Sequence, residues 1–170
     1  MIAAKTEEEI ELLREPCRIV KECLDFVGAN IRAGMTTKEV DDLVYRFIKA
    51  EGAEPSCLGY CGYPASACVS VNEVVVHGIP DDRVILTGDI VSVDLCAYKN
   101  GFHGDGARTF CIGEVSDEKN KLVRVTRECF FESREGLKAG PPLYHVASKV
   151  QPQAEANGCS VTRPTPGPGT

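Results

Sequence analysis

Two aspartates, Asp94 and Asp105, stand within the stretch Asp89–Gly113, DIVSVDLCAYKNGFHGDGARTFCIG. Carboxylate oxygens are hard donors, and a pair held side by side wants a shared proton or a shared divalent cation. The stretch reads as two β-strands joined at a tight turn. Ile90, Val91, Val93, Leu95 and Tyr98 are strand formers in the first run, and Phe102, Thr109, Phe110 and Ile112 in the second. Lys99-Asn100-Gly101 supplies the turn, with glycine free to take a positive φ. A two-residue loop at Lys99-Asn100 places Tyr98 opposite Gly101 and Asp94 directly opposite Asp105, on one face. Facing like charges cost a sheet roughly 0.2–1 kcal/mol, more if buried. A register shifted by two is the alternative, with both carboxylates solvated on an outer face. His103 shares the face of Asp105 and reads as a supporting or structural residue.

The elements around this hairpin follow from periodicity and punctuation. Thr6 with Glu9 is a capping box that opens a helix. Ile10, Leu13, Cys17, Val20, Leu24, Val27 and Ile31 recur at helical spacing as one apolar stripe. Pro16 interrupts it at a cost of about 3 kcal/mol in a helix interior, so a kink or a separate first turn is expected. Arg32 to Thr37 ends this helix and caps the next, whose core face is Val40, Leu43, Val44, Phe47 and Ile48, and Gly52 stops it. Strands follow from Ala53 to Gly113. A third helix spans 116–137 with Leu122, Val125, Cys129 and Phe130 inward, and a fourth begins after Lys138-Ala139-Gly140 and runs to Gly158. The two halves repeat in punctuation: Ala33-Gly34 matches Ala139-Gly140, Val40 matches Val146, Val44 matches Val150, Ile48 matches Ala154, and Gly52 matches Gly158. His145 falls at an ordinary exposed helix position.

Composition narrows the classes. A chain of 170 residues is long enough for one domain with a sizeable core. The net charge of −6 and the lack of a Lys/Arg run argue against nucleic acid as a direct partner. No apolar leader or membrane-length run is present, which points to a cytoplasmic protein with no membrane partner. Nine cysteines scattered through apolar segments fit reduced, mostly buried thiols. Cys57 and Cys61 have no second pair at zinc-finger spacing.

Three linked motifs carry a family resemblance. SVNEVVVHGIP (70–80), GDIVSVDL (88–95) and GFHGDGARTF (101–110) closely resemble the type I methionine aminopeptidases, and the resemblance covers essentially the whole chain in register. It implies an α/β (α+β) metallohydrolase of the pita-bread, creatinase/aminopeptidase-like fold, with residues 1–160 forming its first half plus the opening helices of the second. It implies Asp94 and Asp105 as ligands in a site for two divalent ions (Co, Mn, Fe or Zn), and His77 as the catalytic histidine that contacts substrate. It also implies that Cys57, Tyr60, Tyr63 and Cys68, with His77, line the substrate pocket. Sulfur and aromatic rings suit a methionine thioether. From the residues alone, those four are a packing cluster and His77 a strand-end histidine. The implied activity is removal of the N-terminal methionine from nascent polypeptides, by a monomer that associates with the ribosome.

The ending departs from the family pattern. Residues 161–170 form a Pro/Gly-rich stretch, with three prolines and two glycines in the last seven positions, and a disordered tail is expected. Pro168 stands where the resemblance calls for a histidine ligand, and later glutamate ligands fall beyond Thr170. The expectation is a C-terminally truncated or frameshifted chain with little activity and exposed sheet edges. An X-Pro dipeptidase is disfavoured by the 70–80 motif. A non-catalytic peptide-binding module is disfavoured by the retained carboxylate pair.

Overall fold

The computed structural model describes residues 4–135, 137 and 144–162, without the side chains of 145–147. The turn at 138–140 and the tail from 163, including Pro168, lie outside the described residues, as does the side chain of His145. The chain divides into two compact units, residues 1–115 and 116–170.

In the first unit, helix α1 (Glu7–Asn30) opens on the Thr6/Glu9 capping box, with both reciprocal bonds made. It runs through Pro16 as one continuous helix, so of the two expected outcomes the detached first turn is not formed. Pro16 is buried, and its backbone lies against Gly104 of the hairpin, so tertiary packing overrides the missing N–H. Only part of the predicted stripe is core: Val20, Leu24 and Val27 are buried, joined by Ile19 and Cys23 from outside it, whereas Ile10 and Cys17 are exposed. Helix α2 (Thr37–Ala50) opens on a second capping box, Thr36 with Glu39, and buries Val40, Val44 and Ile48. Gly52, at φ 65, follows its end in the left-handed conformation that closes a helix.

Strands β1 (Glu54–Pro55), β2 (Ala67–Val71), β3 (Ile90–Lys99) and β4 (Phe102–Cys111) form one antiparallel sheet. β3 is central: β4 pairs along its whole length, and β2 and β1 lie end to end on its other edge. Alternation along β3 is clean. Val91, Val93, Leu95 and Ala97 are fully buried against the two helices, while Ser92, Asp94 and Cys96 turn to the opposite face. One sheet face is therefore core, and the other is left for chemistry.

The hairpin register differs from the expected one. Asp94 pairs with Ala107 and Cys96 with Asp105, a shift of two, because the loop residues are Asn100 and Gly101. Their φ values of 54 and 85 meet the type I′ requirement for two positive φ angles, which Asn-Gly satisfies and a loop beginning at Lys99 would not. The glycines beside Asp105 have their own role. A Cβ on Gly104 would sit 2.4 Å from the Pro16 carbonyl, and one on Gly106 would sit 2.9 Å from Val20 Cγ1. Gly104 and Gly106 thus let α1 press directly under β4 while Asp105, between them, points away.

The second unit is a helix pair, α3 (Asp117–Arg134), capped by Ser116, and α4 (Tyr144–Ala156). Val125, Cys129 and Ala154 form its small core, with Val150 and Cys159 packed against them. Leu122 and Phe130, expected inward, are 46% and 58% exposed. An 18-residue helix with one narrow partner buries only a narrow stripe. Gly158, at φ 70, closes α4 two residues after Ala156, as Gly52 closes α2 two residues after Ala50. No described helix is long and apolar enough to cross a membrane. The thiols are less buried than expected: of the nine, only Cys23, Cys68 and Cys129 are buried.

Candidate active site

The non-core face of the sheet carries Cys68 and Ser70 from β2, Ser92, Asp94 and Cys96 from β3, and Asp105, Ala107 and Thr109 from β4. Residues opposite each other share a face, and side chains two apart do too. Asp94 therefore lies beside Cys68 on one strand and diagonal to Asp105 on the other, with Cys96 directly across from Asp105. The aspartates share a face although neither is directly opposite the other. Asp94 is half-buried and Asp105 exposed, so the shifted register does not solvate both. Burial, and next the charge of Asp105, push the Asp94 carboxyl above its ordinary value, and His77 opposes this.

Two loops cover the β2 side of this face. Asp41 of α2 accepts the Ser66 and Ala67 N–H groups at 2.9 and 2.8 Å and so pins the start of β2. Burial raises the Asp41 carboxyl, and these two bonds oppose the rise. The Tyr63 hydroxyl donates to the carbonyls of Ala67 and Gly78 at 3.2 and 3.1 Å and also meets Cys68, tying both loops to the strand. Burial raises the Tyr63 hydroxyl and the Cys68 thiol alike. His77 is exposed with φ 57, a left-handed conformation costing of order 1–3 kcal/mol unless its surroundings hold it. Gly78 does the holding: its carbonyl accepts the Val69 N–H at 2.9 Å and its N–H donates to Ser70 Oγ at 3.1 Å. A Cβ there would fall 2.5 Å from the Val69 carbonyl oxygen, so only glycine fits.

The structure thus gathers Cys57, Tyr63, Cys68, His77, Asp94 and Asp105 around one sheet face. Tyr60, named in the expected lining, is 73% exposed on a single 3-10 turn, Tyr60–Gly62, that its backbone helps to form. His103 packs against Tyr98 at a tilt, with ring centroids 4.8 Å apart, and its Nδ1 lies 2.8 Å from Ser56 Oγ. Two residues, Cys96 on this face and Asp41 of α2, were not singled out from sequence. Cys96 sits two positions from Asp94, so strand alternation was the available signal, and it interacts with the Cys57 thiol. Their mutual interaction lowers the Cys57 thiol and raises the Cys96 thiol. Asp41 carried no signal, being one of many polar positions on an amphipathic helix.

The chemistry of the donor set is one-sided. A half-buried carboxylate beside a second carboxylate is relieved by a divalent cation, and both supply the hard oxygens such ions prefer. Among the described residues, no group of three or more His, Cys, Asp or Glu side chains is arranged to hold a metal. The pair fits one side of a metal site.

Residues 11–166 match metallopeptidase family M24. The methionine aminopeptidase of Clostridium perfringens is 44% identical over 163 residues, covering 96% of this chain and 66% of that protein. The methionine aminopeptidase of Clostridium acetobutylicum is 45% identical over 164 residues, again 96% of this chain and 66% of that one. The crystal structure of methionine aminopeptidase from Rickettsia prowazekii matches with a TM-score of 0.93 at 34% identity, covering 96% of this chain and 66% of that chain. The chain spans 66% of the length of each of these relatives. The architecture is the pita-bread one.

Proposed function

The chain belongs to metallopeptidase family M24, and from that premise we propose that its sheet face serves metal-dependent removal of the N-terminal methionine from nascent polypeptides. The observation that carries this reading is the Asp94–Asp105 pair on the sheet face opposite α1 and α2, bordered by His77, Cys57, Tyr63 and Cys68. Asp94 and Asp105 would hold the divalent metal, two ions in the full family site. When bound, the metal supplies Lewis acidity toward the scissile carbonyl and lowers the pKa of a water.

The chain's own residues do the rest. His77, set above β2 by Gly78, offers an imidazole that can hydrogen-bond the substrate peptide and the charge that develops on its oxygen. Cys57, Tyr63 and Cys68 offer sulfur and an aromatic ring to a thioether, and Tyr60 would add a second ring. A cytoplasmic monomer that meets its substrates at the ribosome is the setting this reading carries.

Calorimetric titration with Mn(II) or Co(II), alongside hydrolysis of Met-Ala-Ser, tests it. Two carboxylates fix an ion loosely. Weak binding that Asp94→Asn and Asp105→Asn each abolish is expected, with little methionine released by the 170-residue chain. Binding that both variants leave intact would overturn the ligand assignment. Preferential release of another N-terminal residue would overturn the substrate.

A further inference from the structure

We propose that Cys57 and Cys96 form a reversible intramolecular disulfide, a thiol redox site on the same sheet face as Asp94 and Asp105. The topology places them together. β2 pairs with β3 only as far as Ala67 opposite Leu95, and β1 takes over at Pro55 opposite Ala97. Between the two partners the backbone of Cys96 faces a gap. Its carbonyl accepts the Ser56 N–H at 2.9 Å, which sets the next residue, Cys57, beside Cys96, and the two thiols interact. The Ser56–Cys96 backbone bond holds the two segments side by side, the arrangement from which an S–S bond can close. Both thiols are free and half-buried, within reach of a small oxidant. Cys68, the other thiol on this face, is buried and engaged by the Tyr63 hydroxyl.

The oxidant is a small-molecule disulfide, RSSR. The Cys57 sulfur attacks it, forming a mixed disulfide and releasing one thiol. The Cys96 sulfur then attacks Cys57, forming the protein disulfide and releasing the second thiol. Two protein thiols lose two electrons in all, RSSR gains them, and the two thiol protons end on two RSH molecules. Closure removes the Cys57 thiol from the proposed methionine pocket. That consequence rests on the pocket reading, whereas the bond does not.

The test is peptide mapping of the full chain after exposure to oxidised glutathione, alkylation of free thiols and tryptic digestion without reductant. Cys96 is the one cysteine in peptide 84–99, and Cys57 lies with Cys61 and Cys68 in peptide 50–83. The expected product is a single linked species joining these peptides through Cys57, reversed by dithiothreitol. It should be lost in Cys57→Ser and Cys96→Ser and kept in Cys68→Ser. Linkage through Cys61 or Cys68, glutathione held on Cys57 with Cys96 still free, or no linkage in the folded parent chain would each overturn the proposal. This readout is independent of activity, so it stands or falls apart from the aminopeptidase reading.

Discussion

Replacing Gly104 with alanine probes the contact that decides where Asp105 stands. A Cβ at this position would fall 2.4 Å from both the carbonyl carbon and oxygen of Pro16 and 2.6 Å from the Cys17 nitrogen. Carbon contacts settle at about 3.5–4.0 Å, so α1 would have to retreat from β4 by about 1 Å. The obstructing atoms are helix backbone and have no rotamer to escape into, which puts the cost at the upper end of the overpacking range of about 1–3 kcal/mol. Removing a glycine from a strand interior offsets about 0.5–1 kcal/mol of that. The net loss is about 2 kcal/mol. At about 2–4 °C per kcal/mol for a chain of this size, the melting midpoint should fall by about 4–8 °C. Circular dichroism melts of Gly104→Ala and Gly106→Ala, side by side, are the measurement. At Gly106 the new Cβ would crowd the Val20 Cγ1 methyl at 2.9 Å and touch Leu24 Cδ1 at an ordinary 3.7 Å, and side chains can turn aside, so its loss should be the smaller. A Gly104→Ala midpoint at or above the parent value would refute the claim that α1 presses on the hairpin, and so would a reversed ranking.

Other perturbations have defined outcomes. The raised Asp94 carboxyl means that the native state binds protons more tightly than the unfolded chain between the ordinary value of 3.8 and its own pKa. Stability without metal should therefore fall as pH rises through that window, seen as a falling urea midpoint, and Asp105→Asn should shrink the effect. Asp41→Ala strands the Ser66 and Ala67 N–H groups and should cost roughly 1–3 kcal/mol in urea unfolding, while Asp41→Asn, which keeps an acceptor oxygen, should lose less. Thr36→Ala removes the N-cap bond to the Glu39 N–H and should lower stability by about 1 kcal/mol; equal midpoints would contradict the capping box.

What the sequence by itself determined about this protein was local. Thr6/Glu9 and Gly52 mark helix ends because capping bonds and left-handed closure involve neighbours a few residues apart. Alternation from Val91 to Ala97 separates a core face from the face of Asp94 because strand geometry has period two. The Asn100-Gly101 turn was legible by the same kind of rule; reading the loop one residue early moved every pairing by two. The motifs around His77, Asp94 and Asp105 located the candidate site, since a motif keeps residue types in order along the chain.

The tertiary structure alone decided which surfaces meet. Pro16 stays helical and Gly104 is flanked by helix backbone because α1 lies across β4, a contact between positions far apart in sequence. Cys17, Leu122 and Phe130 sit at helical spacing yet remain exposed, since periodicity defines a stripe and only the partner's width sets how much of it is covered. Asp41 came to anchor β2, and Cys57 came to rest on Cys96, because a sheet brings its strands' neighbours together regardless of chain distance.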